Sequence, residues 1–112
     1  MRSIVEYLPA KDKDDFPVLR LYIHGAPHRR MHRAVLALYR KELYAAAKST
    51  KVQMPIRHNV ELVVTFINPT GPDLDNLIVA LFQAMDGKCG KGPTILVDDR
   101  LICFVKAGIM FN

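Results

Sequence analysis

The sequence predicts an α+β domain, a small mixed sheet packed with two helices, and three observations carry that expectation. Two β-rich segments, 18–23 and 60–67, each run into turn residues and then into a helical pattern. The two helical patterns differ: 28–48 is long and amphipathic, whereas 77–85 is short and apolar nearly all round. A last β-rich stretch, 101–111, closes the chain. At 112 residues, half of them apolar, the chain suits one domain with a modest core rather than two.

Taken in order, residues 3–8 read as a short strand or an ordered tail, and Lys11-Asp12-Lys13-Asp14-Asp15 as a solvated turn. Strand 18–23 ends at His24-Gly25-Ala26-Pro27, and Pro27 suits the first turn of the helix that follows. Asn68-Pro69-Thr70-Gly71-Pro72 is a turn. Asp86-Gly87 stops the second helix, and 88–93 is a loop. Residues 94–97 and 101–111 are expected as strands, the second broken near Gly108. Cys89 and Cys103 have neither metal-ligand spacing nor a disulfide framework; a loop thiol and a strand-core thiol in a reducing cytoplasm is the simple reading. Residues 1–10 hold one basic residue and no long apolar run, so neither a signal peptide nor a membrane span is expected.

The net charge of +5 and pI near 9.4 fit a nucleic-acid partner without requiring one. At 100° per residue, Val35, Leu36, Leu38, Tyr39, Leu43 and Ala46 share the apolar side of the long helix. Arg33, Arg40, Lys41, Tyr44 and Lys48 fall on the other side, led by Arg29 and Arg30. A solvated helix face tends to mix signs, and this one is almost wholly basic, with Glu42 opposite, which favours phosphate contact. Lys88 and Lys91 in the following loop join this expected DNA-binding set. His24, His28 and His32 are spaced by four, but Pro27 interrupts the helical geometry a zinc site would need; phosphate contact or simple exposure suits them and His58 better.

Asp73-Leu74-Asp75-Asn76-Leu77 and Asp98-Asp99 concentrate four carboxylates in a basic chain. Taken singly each has a bland explanation, Asp75 as a helix N-cap and Asp98-Asp99 as a turn. Together, flanking an apolar helix, they resemble a site for a hard divalent cation beside a polyanion, which points to a metal-dependent nuclease.

These residues resemble the signature of RusA-type Holliday-junction resolvases, in which a strand ending like Gly25-Ala26-Pro27 and an Arg-bearing helix precede the aspartate motif. The resemblance covers about residues 17–111 and makes 1–16 an N-terminal extension to an endonuclease domain, 17–112. It implies a RusA-like α+β fold in an intimate homodimer that cuts four-way junctions or other branched DNA. The cofactor would be magnesium, Mg2+, with manganese, Mn2+, as a substitute. Phage or prophage origin and a bacterial cytoplasm go with it. Catalytic residues fall on Asp73, Asp75 and Asp99, and metal ligands on these and Asp98. Two positions depart from the pattern: Val79 stands where the family has a lysine, and Gln83 where an acid is common. Lys88, Lys91 and Arg100 are the candidate substitute cations. A DNA-binding module with weak or lost nuclease activity is the alternative, and a small basic interaction protein with no nucleic-acid role a third.

Overall fold

The computed structural model describes residues 1–27, 32–88 and 92–112. The expectations on His28, Arg29, Arg30, Cys89 and Lys91 lie outside the described residues. The elements are β1 (Arg2–Leu8), β2 (Val18–His24), α1 (Arg33–Ala47), β3 (Val60–Ile67), α2 (Leu74–Met85) and β4 (Ile102–Met110). They form the expected α+β fold, one four-stranded mixed sheet in the order β1-β2-β3-β4 with two helices. β1 is antiparallel to β2, while β2–β3 and β3–β4 are parallel, so α1 and α2 serve as the two crossovers.

Burial alternates along the central strands, as a sheet with one covered face requires. Leu19, Leu21 and Ile23 of β2 and Val60, Leu62, Val64 and Phe66 of β3 are buried with Tyr39, Leu43 and Ala47 of α1. From α2 come Leu77, Ala80, Leu81, Ala84 and Met85. The apolar character of α2 is therefore spent largely inside its own domain, with Val79 left 57% exposed. Among the described residues no helix is long and apolar enough to cross a membrane.

Residues 3–8, expected as a short strand or an ordered tail, lie in the edge strand β1, all of which pairs with β2, and Glu42 of α1 accepts from the Ser3 amide and hydroxyl at 3.1 and 3.2 Å. Three expectations are corrected. Val35 and Leu38, expected on the buried side of α1, are 39% and 65% exposed, because the helix turns Tyr39, Arg40, Leu43 and Ala47 inward. Residues 94–97 are not a ladder strand: Leu96 makes isolated bridges to Ile56 and Asp86. β4 runs unbroken through Gly108, which pairs with Thr65; its irregularity is a bulge at the other end, where Val60 faces Ile102 and Glu61 faces Phe104. The half-buried Cys103 is the extra residue there, and its thiol donates to the Val60 carbonyl at 3.2 Å.

The backbone of 94–97 is committed to the end of α2. Leu96 donates to the Met85 carbonyl at 3.1 Å, Gly87 donates back to Leu96 at 2.8 Å, and Val97 donates to Ile56 at 3.1 Å. The approach leaves no room for a side chain on Gly87: a Cβ there would sit 2.8 Å from the Val97 carbonyl oxygen and 2.9 Å from that of Leu96. Gly87→Ala should lower stability by about 1–3 kcal/mol, because the opposing atoms are backbone and cannot rotate aside. Urea unfolding checks this through a lower midpoint at unchanged slope; an unchanged midpoint would mean that the turn relaxes.

Candidate metal centre

α2 ends at Asp86, whose extended backbone caps the helix and whose carboxylate accepts from the Lys88 amide at 2.9 Å. At the start of β4 a 3-10 turn, Asp99–Leu101, is capped by Asp98, which accepts from the Arg100 amide at 3.0 Å. The hydrogen bonds between Leu96 and the Met85–Gly87 turn bring these two ends together. One carboxylate oxygen each from Asp86, Asp98 and Asp99 then lies within 4.8 Å of the others. Asp86 is only 5% exposed and the Asp98 side chain 13%.

Two cations close the group. Lys88 Nζ is 2.6 Å and Arg100 Nη2 2.8 Å from the same Asp98 oxygen. Hydrogen bonds from Arg100 and Lys88 hold the Asp98 carboxyl well below the usual carboxylate range. Asp99 moves the other way: burial raises its pKa first, then the charges of Asp86 and Asp98 and a carboxyl-to-carboxyl contact with Asp98. Among the described residues the two cations meet on Asp98, and the crowding of the carboxylates is felt at Asp99. All three donors are hard oxygens, the set that magnesium or manganese takes and zinc or copper sites seldom use alone.

The expected set of Asp73, Asp75, Asp98 and Asp99 is thus split. Asp73 is the N-cap of α2, accepting from the Asp75 and Asn76 amides at 3.2 and 3.5 Å and from the Asn76 side chain at 3.1 Å. It takes the capping role expected of Asp75, which lies inside the first turn. Asp73 and Asp86 bracket the helix, so at 1.5 Å per residue they stand about 20 Å apart along its axis. Asp98 and Asp99 are at the Asp86 end, while Asp73 and Asp75 are at the other. Asp86 was read in the sequence only as a helix stop. Its signal was electrostatic: a carboxylate at a helix C-terminus opposes the helix dipole, so its presence there calls for a tertiary reason.

Of the expected basic residues, Lys88 and Arg100 do reach the aspartates. Arg33 and Lys41 are exposed on α1 and Lys48 just past its end, where Lys48 Nζ stands over the Tyr44 ring, 5.1 Å from its centre. Arg40 is not on the solvated stripe: it is 5% exposed and donates to the Gln83 carbonyl at 3.3 Å, tying α1 to α2. Val79 lies on the surface one turn after Asp75. No family model, curated protein or solved structure matches this chain.

The opposite pKa directions of Asp98 and Asp99 give a test without metal. A lowered folded pKa makes Asp98 stabilising above its unfolded value near 4, and that contribution is lost as pH falls through the folded pKa. A raised folded pKa means that the contribution of Asp99 is full below its unfolded value and is lost as pH rises through the folded pKa. In chelator at pH 7, Asp99→Asn should therefore raise Tm and Asp98→Asn should lower it. Equal effects of one sign in thermal melts would contradict the arrangement.

Proposed function

We propose that this chain is a magnesium-dependent endonuclease acting on branched DNA, in the manner of the RusA-type resolvases its sequence resembles. The observation that carries the reading is the group Asp86, Asp98 and Asp99, three oxygen donors within 4.8 Å of one another in a chain of net charge +5. Magnesium bound there would lower the pKa of a bound water and polarise a scissile phosphodiester. Lys88 and Arg100 already hold Asp98 Oδ2, so a cation bound through that oxygen would have to displace one of them. The Lys88 side chain is 58% exposed and that of Arg100 79%, so either could then turn toward the phosphate without leaving a buried charge behind. This gives them the charge-stabilising part that the family's lysine would take at Val79. Exposed Arg33, Lys41 and Lys48 supply phosphate contacts along the arms.

A homodimer belongs to this proposal, because two equivalent sites make the paired cuts that resolve a junction. The apolar surface available for it is on the sheet rather than on α2: Ile4 is 60%, Phe104 61% and Met110 49% exposed. One observation favours the alternative, a DNA-binding module with weak or lost nuclease activity. The Asp98 carboxylate is already neutralised from within, so bound metal must compete with Lys88 and Arg100.

The deciding experiment incubates a labelled four-way junction with the protein, with and without magnesium. Symmetric nicks that need the metal, abolished by Asp99→Asn and retained by Asp75→Asn, are expected. Loss of cutting in Asp75→Asn with Asp99→Asn unaffected would move the centre to the other end of α2. Binding without nicks would favour the alternative. Val79→Lys should fold with stability changed by less than about 0.5 kcal/mol, because the position is on the surface. Its single-turnover rate should rise little, with Arg100→Ala or Lys88→Ala instead reducing cutting; a large gain in Val79→Lys would mean that neither cation fills the role.

A further inference from the structure

α1 forms one wall of a cleft of about 440 Å³ that the reading above leaves unused. Ala37, Lys41, Tyr44, Ala45 and Lys48 recur on one face of the helix, and Pro93 faces them. Tyr44 is half-buried among the lining residues, and Lys48 Nζ stands over its ring, 5.1 Å from the centroid. A merely solvated lysine stripe needs no such cleft. The volume is in the range of about 300–1,000 Å³ typical of small-molecule sites, and its lining is mixed: the Tyr44 ring and alanine methyls together with Lys41 and Lys48. That is the chemistry of an unstacked nucleotide, whose base needs a flat apolar partner and whose phosphate needs a cation.

The cleft also lies at the right end of the molecule. Arg40, on its lining, donates to Gln83, which precedes Asp86 by less than one helical turn. Gly92 and Pro93 lead directly into the 94–97 segment that holds the Asp86-Gly87 turn in place. We propose that this cleft receives one unpaired base of the DNA, which takes the place of the Lys48 ammonium over the Tyr44 ring while Lys48 and Lys41 move to its flanking phosphates, next to the strand position presented to the aspartates. Branched DNA offers such a base where pairing breaks at the branch. The inference rests on DNA being the substrate, but not on cutting.

The test is a titration, in chelator, of a single-stranded tetranucleotide carrying 2-aminopurine against an otherwise identical one with an abasic site in its place. Fluorescence reports the first and displacement of it reports the second. The base-bearing strand should bind about tenfold or more tightly than the abasic one, the range that stacking one base supplies. Tyr44→Ala should remove that difference and Tyr44→Phe should keep it. Ala45→Leu, at an exposed helix position that tolerates leucine, should remove it by filling the cleft while circular dichroism stays native. Equal affinity for the two strands, or full discrimination retained in folded Ala45→Leu, overturns the proposal. Base-dependent binding by a protein that never nicks a junction upholds this site and sinks only the nuclease reading.

Discussion

The packing of α2 across the β3–β4 crossover is the constraint from which the rest of the site follows. A parallel pair of strands needs a return path, and the chain makes it through a helix that runs back from the end of β3 to the start of β4. Burying Leu77, Leu81 and Met85 against the sheet is worth roughly 1.5–3 kcal/mol each, and Ala80 and Ala84 keep the backbones close. Once that face is docked, the two ends of α2 are fixed at opposite ends of the sheet. Whatever the chain places after Met85 must then meet whatever it places before Ile102, and those residues are acids.

The two ends of α2 are electrostatically unlike. At the N-terminus Asp73 is stabilised by the helix itself, through two backbone amides and the dipole, and needs no further explanation. At the C-terminus Asp86 opposes the dipole, is almost completely buried, and faces Asp98 and Asp99. Isolated local preference would not put a carboxylate there. The cluster holds together because Lys88 and Arg100 converge on Asp98 and because the Lys88 amide satisfies Asp86. Three carboxylate oxygens this close could hold a metal ion, and the cations that now neutralise Asp98 have exposed side chains.

α1 shows the same competition between local pattern and packing. Its basic residues share one arc of the helix, yet the arc is divided in the folded protein: Arg40 is drawn under α2 to the Gln83 carbonyl while Lys41 and Lys48 stay in solvent. The result is a basic helix face with one edge anchored in the core, and a cleft that Tyr44 and that anchor both line.

Periodicity and turn chemistry are local properties, and they were legible in the chain: the strands around 18–24 and 60–67, both helices, the glycine that ends α2, and a single α+β domain. The concentration of aspartates and the basic stripe could likewise be read as chemistry without coordinates. What the sequence could not determine was which aspartates meet. Asp73 and Asp75 are near neighbours in sequence and stay so, held by a cap, whereas Asp86 joins Asp98 and Asp99 across a loop. That choice belongs to the docking direction of α2 and to backbone hydrogen bonds between Leu96 and the Met85–Gly87 turn, contacts made by main-chain atoms that carry no side-chain signature. The same holds for residues 94–97, strand-like in composition but bonded to a helix end, and for Arg40, whose burial depends on a neighbour that no helical wheel contains.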